Sequence, residues 1–250
     1  MANQSPLRIA VLINTPPGNE FWNDVRGSYQ DAFDVIAPNA KVDMYDPVFE
    51  GNFPNPQEYD LIVLSGGKAD ASSSEPWVLG VLDFLRRTAR ESPKTKILGI
   101  CWGHQAISRA FGGEVRAVPT GPIAGLEDVK LTEAGMKFFS TRSGVKTYVR
   151  CLMAALWLPE FHVREVARPG VGFIHLAENH EMFVNQENTV LSFQAHPEVQ
   201  TELAKKMLLE EDDVYNGNLS DWELEDQLAK LERPTDGFEV LRRVIEWVRE

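Results

Sequence analysis

The first hundred residues alternate short apolar runs with helical stretches, and this alternation restricts the folds open to the chain. "RIAVLIN" (Arg8 to Asn14) leaves into "TPPGN", so it reads as a buried strand entering a loop. "KVDMYDPV" is a second strand candidate, and "YDLIVLSGG" (Tyr59 to Gly67) is a third that ends in paired glycines. "KILGI" is the fourth and runs straight into Cys101. Between them, "NDVRGSYQDAFDVIA" places Val25, Phe33, Val35 and Ile36 at helical spacing. "SSSEPWVLGVLDFLRRTAR" has a helix start at Glu75-Pro76 and an apolar face from Trp77 to Leu85. Strands and helices in this order imply right-handed crossovers and a mainly parallel sheet.

After Gly113 the pattern changes. "EVRAV", "EDVKLT", "FHVREV", "GFIHLAENH" and "NTVLSFQ" read as shorter strands, with a hairpin around Gln186 to Asn188. They are expected to form an antiparallel or mixed extension of the central sheet. From Thr201 the chain reads as helical: Ser220 and Glu223 fit a capping box, and Pro234 to Gly237 separates the last two helices. With no repeat or long linker, residues 1–250 are expected to form one domain with a helical segment from about 201 to 250.

The net charge of −12 argues against nucleic acid and anionic membranes as partners. Met1 to Arg8 is polar, "IAVLI" is too short for a signal-peptide core, and no window approaches a membrane span. Two cysteines, Cys101 and Cys151, exclude a disulfide framework. A cytoplasmic protein is the expectation.

Cys101 stands in Gly99-Ile100-Cys101-Trp102-Gly103, the G-x-nucleophile-x-G form of a nucleophile elbow. A tight strand-to-helix turn needs small flanking residues, and it puts sulfur at a helix N-terminus, where thiolate is favoured. By itself a free cysteine is more often a small buried hydrophobe. A nucleophile needs a base, and the chain has five histidines. His104 falls on the helix after Cys101 and would point away from the sulfur, while His175 reads as a sheet residue. His196 sits in "QAHPEV" at the end of "TVLSFQ", with Glu198 two positions on. A base held in its tautomer by a carboxylate is the logic of a triad.

"GICWGHQ", followed 95 residues later by "QAHPE", resembles the signature pair of the class I (triad-type) glutamine amidotransferases. "LIVLSGG" and "EMF…NTVLSFQAHPE" match as well, and the order Cys, His, Glu differs from that of α/β-hydrolases. The look is closest to free-standing γ-glutamyl peptidase-like and fungal amidotransferase-like members. The resemblance implies an α/β, flavodoxin-like three-layer sandwich: a mostly parallel central sheet, a nucleophile elbow and a small antiparallel extension. It implies Cys101 as nucleophile, His196 as base and acid, and Glu198 as orienter. The oxyanion donors would be the N–H of Trp102 and the Gly66-Gly67 turn, and Gln105 would seat the glutamyl end. Many relatives carry H-x-D-x-V where this chain has His162-Val163-Arg164-Glu165-Val166. A cation cannot replace a carboxylate beside a substrate ammonium, though it can meet a substrate carboxylate. His162 and Arg164 are therefore substrate-contact candidates, with a solvated strand residue as the plain reading of Arg164.

The apolar segment Thr147 to Phe161 is open to three readings: pocket cover, partner surface or core; its Cys151 is expected to be inert. No P-loop, H-E-x-x-H or paired C-x-x-C occurs, so neither a cofactor nor a metal is expected. The first functional reading is a stand-alone cysteine hydrolase that cleaves a γ-glutamyl amide, a γ-glutamyl peptide or glutathione conjugate, through a thioester. The second is a glutaminase subunit that delivers ammonia to a separate synthetase in trans. A third is a binding protein with a little-used triad, its acidic helices docking a basic partner. Against that docking role, Trp222, Leu224, Leu228 and Leu231 fit one buried face of a sheet cover.

Overall fold

The apolar runs form the centre of a seven-stranded sheet. In the computed structural model, which describes residues 5–15, 18–140, 154–210 and 213–250, the strand order is β2-β1-β3-β4-β11-β10-β9. Here β1 is Arg8–Leu12, β2 Lys41–Tyr45, β3 Leu61–Leu64, β4 Lys96–Ile100, β9 Phe173–His175, β10 Met182–Asn185 and β11 Val190–Phe193. The first five in spatial order are mutually parallel; β10 and β9 are antiparallel to their neighbours.

Strands covered on both faces need side chains that are apolar on both, which is why β1, β3 and β4 read as unbroken hydrophobic runs. Ile9, Val11, Leu61, Val63, Leu98 and Ile100 pack on one face with Tyr29 and Phe33 of α1 (Glu20–Ile36) and with Val244 and Trp247 of α7 (Gly237–Val248). Ala10, Leu12, Ile62, Leu64 and Ile97 pack on the other, with Val78, Leu82 and Leu85 of α2 (Pro76–Glu91) and Ala106 and Ile107 of α3 (Trp102–Ala110). The result is the expected helix–sheet–helix arrangement.

The extension differs from the expected one. Of the strands after Gly113, β11 joins the central sheet parallel to β4, and β10 and β9 extend it antiparallel. β5 (Glu114–Ala117) pairs with β8 (Arg164–Arg168), and β6 (Ile123–Lys130) with β7 (Ala155–His162), as two separate antiparallel ribbons. A short helix unforeseen in the sequence, α4 (Glu133–Ser140), follows β6 and buries Phe139 in the core. Cys151 and residues 147–153 of the apolar segment lie outside the described residues. The rest of that segment is β7, where Leu156, Leu158 and Phe161 are core.

A third apolar cluster joins the start of α1 to α5 (Thr201–Glu210) and α6 (Asp221–Leu231) through Phe21, Phe161, Met207, Leu208 and Leu231. The Ser220–Glu223 cap forms as expected, with the Ser220 N–H donating to Glu223 Oε2 at 2.9 Å. Leu224 and Leu228 also pack inward. Trp222 does not: it is 69% exposed, because its position in the first turn turns it away from the stripe formed by Leu224, Leu228 and Leu231.

Candidate active site

Cys101 stands between β4 and α3 with φ 49° and ψ −101°, a conformation that costs a non-glycine residue about 1–3 kcal/mol. Its N–H donates to the Phe193 carbonyl of β11 at 2.8 Å, which holds the strained residue against the sheet. The two glycines of the motif permit the close packing that makes the turn. A Cβ on Gly99 would lie 2.5 Å from the Gly103 carbonyl oxygen, and one on Gly103 would lie 2.5 Å from that of Leu64. Sγ sits 3.7 Å from the Phe161 carbonyl oxygen of β7.

His196 follows β11, and its backbone N–H donates to the Pro159 carbonyl at 2.8 Å. Its Nδ1 lies 2.9 Å from Glu198 Oε1, and both side chains are buried. A carboxylate only accepts, so Nδ1 carries the hydrogen and Nε2 is the atom free to exchange a proton. Burial works against a charged imidazole here. The Cys101 thiolate and the Glu198 carboxylate outweigh it and raise the His196 pKa well above the usual imidazole range.

Gly66 touches the ring, since a Cβ there would lie 2.8 Å from His196 Cε1. Its N–H donates to the Tyr29 hydroxyl at 2.8 Å. That engagement removes the Gly66 N–H from the expected pair of glycine oxyanion donors. Gly67, which lines the cavity beside Cys101, is the glycine left for that role. Tyr29 is fully enclosed, and burial and the neighbouring Glu198 charge raise its pKa.

The cavity holding Cys101 has a volume of about 210 Å³ and is lined also by Gly67, Gln105, His162, Arg164 and Tyr215. Gln105 Nε2 donates to the Arg164 carbonyl at 2.8 Å and to Gln194 Oε1 at 3.2 Å. His162 Nδ1 donates to the same Arg164 carbonyl at 2.9 Å, and its Nε2 lies 3.1 Å from Glu160 Oε2. Burial pushes the Glu160 pKa up to about 8, and burial together with Glu160 raises that of Glu181. The Arg164 guanidinium pairs with Asp70 Oδ2 at 2.6 Å, with the two side chains 30% and 32% exposed. An ion pair that exposed contributes only about 0–1 kcal/mol to stability.

His104 is turned away from the sulfur as expected. Its Nδ1 lies 2.9 Å from Ser192 Oγ, the ring stacks on Phe183, and burial lowers its pKa to about 3. His175 lies in β9. The fold thus brings together Cys101, His196, Glu198, Gly66, Gly67, Trp102, Gln105, His162 and Arg164. Tyr215 and Val214 of the cavity wall were not foreseen, nor were Tyr29 and Asp70; Phe161, also in the wall, ends the apolar segment for which pocket cover was one reading. Lys68 and Ala69 also line it, and their one sequence signal is the paired glycines just before them. No group of three or more His, Cys, Asp or Glu side chains suited to a metal ion occurs among the described residues. No helix among them is long and apolar enough to cross a membrane.

A mostly parallel sheet that ends in a buried Cys near a His–Glu pair is the arrangement that the comparisons with known proteins bear on. Residues 39–214 match the family "Glutamine amidotransferase class-I", and the chain belongs to that family. It is 53% identical over 251 residues to the glutamine amidotransferase-like protein chyE of Penicillium rubens, and the match covers all of both chains. It is 28% identical to γ-glutamyl peptidase 2 of Arabidopsis thaliana, over 81% of this chain and 80% of the relative. The crystal structure of a glutamine amidotransferase from Thermotoga maritima shares the fold, with a TM-score of 0.72 at 22% identity, covering 98% of this chain and 99% of the other.

Proposed function

We propose that the protein is a stand-alone cysteine hydrolase that cleaves a γ-glutamyl amide bond, with residues 1–250 acting as one amidotransferase domain. One observation carries this reading: Cys101, on a strained turn, shares its buried site with an imidazole that Glu198 braces from behind.

The Cys101 thiolate attacks the γ-carbonyl carbon, and the carbonyl electron pair moves to oxygen. The N–H groups of Trp102 and Gly67 stabilise that oxyanion. The His196 imidazolium gives its Nε2 proton to the amide nitrogen, the C–N bond breaks, and the amine leaves. Neutral His196 then takes a proton from water as the hydroxide attacks the thioester, releasing glutamate and restoring the thiolate. Glu198 orients the ring throughout. Gln105, His162 and Arg164 form the wall against which the glutamyl end rests. A free thiol nucleophile suits a reducing compartment such as the cytoplasm.

The likeness to γ-glutamyl peptidases of Arabidopsis thaliana supports γ-glutamyl hydrolysis. A second reading, ammonia delivery to a separate synthetase, draws on 32% identity over 147 residues to one subunit of the glutamine-hydrolyzing GMP synthase of Sulfurisphaera tokodaii. That match covers 57% of this chain and 69% of the relative. The deciding experiment measures glutamate release from glutamine and, separately, from glutathione or a γ-glutamyl conjugate, against Cys101→Ala. Release from the peptides with little from glutamine supports the peptidase. Weak glutaminase activity alone supports the synthetase partner, and no release from any substrate overturns both in favour of the binding-protein reading.

A further inference from the structure

The arginine in the cavity wall has a carboxylate opposite it in space. Arg164 and Asp70 are 94 residues apart in the chain, yet their charged groups meet at 2.6 Å. Arg164 is in the cavity wall with Cys101, and Asp70 directly follows Gly67, Lys68 and Ala69 of the same wall.

Both residues are held from behind. The Arg164 carbonyl accepts from Gln105 Nε2 and from His162 Nδ1. Asp70 Oδ1 accepts from the Ser72 N–H at 2.7 Å and from its hydroxyl at 2.6 Å. Oδ2 and the guanidinium are left facing each other, partly in solvent, in a pair weak enough for a ligand to exchange.

We propose that the Arg164–Asp70 pair is the binding site for the α-amino-acid end of the substrate. The Arg164 guanidinium takes the α-carboxylate, and the Asp70 carboxylate takes the α-ammonium. This rests on the reading of the cavity as a γ-glutamyl site. A carbon bearing both an ammonium and a carboxylate is the electrostatic complement of such a pair, so exchange leaves no charge unmatched. In a γ-glutamyl group the α-carbon is three bonds from the carbonyl carbon, a reach that suits a cavity of about 210 Å³ containing Cys101. Selectivity follows: both α-substituents must be free and charged.

The test compares three chromogenic anilides on the full chain: γ-glutamyl p-nitroanilide, glutaryl p-nitroanilide without the ammonium, and 4-aminobutyryl p-nitroanilide without the carboxylate. Either truncation should lower kcat/KM at least tenfold in the wild type. Arg164→Met should raise KM for the two substrates that keep a carboxylate and leave the 4-aminobutyryl compound unchanged. Asp70→Asn should raise KM for the two that keep the ammonium and spare the glutaryl compound. A mere tether between loop and strand predicts equal loss on all three, and that result overturns the proposal. A tether is also restored in the charge-swapped Asp70→Arg/Arg164→Asp double variant. A zwitterion site is not, because the configuration at the α-carbon fixes which charge lies on which side. Full recovery in the swap therefore overturns it too. No glutamate release from glutamine, glutathione or the γ-glutamyl anilide sinks the γ-glutamyl reading itself, and this inference with it.

Discussion

The Cα of Gly66 lies against the imidazole of His196, so closely that a Cβ would stand 2.8 Å from Cε1. The ring has nowhere to go, because Glu198 holds Nδ1 and the backbone N–H is bonded to Pro159. Gly66→Ala should therefore displace the base rather than the cavity wall. Activity should fall about 100-fold, as for other misplacements near 1 Å, with KM changing far less than kcat. Steady-state kinetics checks this; an unchanged kcat would show that the ring can give way.

Cys101→Ala should abolish glutamate release while the fold is kept, as followed by circular dichroism and melting. His196→Ala should be nearly as severe. Glu198→Ala should be milder, since an orienting group contributes less than the atoms that react. Turnover in a clean Cys101→Ala preparation would remove the thioester route.

The backbone at residue 101 has φ 49°, where glycine is at ease and alanine is not. Cys101→Gly should accordingly melt at or above the temperature of Cys101→Ala, reversing the usual order of the two residues. A glycine variant that melts several degrees lower would mean that the turn carries little strain.

Glu160 is buried with Glu181, His162, His196 and Glu127 as its ionisable neighbours, and its pKa is pushed from 4.5 to about 8. The folded state thus keeps a proton that the unfolded chain has lost. Stability from this group is fully present below about pH 4.5 and is lost as pH rises towards 8, where both states are ionised. The loss is on the order of a few kcal/mol. Glu160→Gln should flatten the fall in melting temperature between about pH 5 and 8 and raise stability most at the alkaline end. Parallel melting curves for the two proteins would place the proton elsewhere.

The central strands were legible because each is covered on both faces, so burial alone dictates an apolar run. The elbow was legible because the packing of β4, α3 and β3 leaves no room for a side chain at residues 99 and 103. Tyr29, Asp70 and Tyr215 were not, since each reaches the site from an element whose local sequence carries no chemical pattern. Periodicity also misplaced Trp222, because an apolar residue at the start of an amphipathic helix looks the same whether it faces in or out. The separate β5–β8 and β6–β7 ribbons show a further limit: alternation marks a strand but does not name its partner.

The β6–β7 ribbon stands outside the sheet that carries Cys101, yet three positions of its second strand reach the site. Pro159 holds the His196 backbone, Phe161 places its carbonyl near Sγ, and His162 forms part of the cavity wall. Reactive groups carried by the central sheet therefore lean on a ribbon built outside it. A change in that ribbon alters the cavity wall and the backing of His196 together.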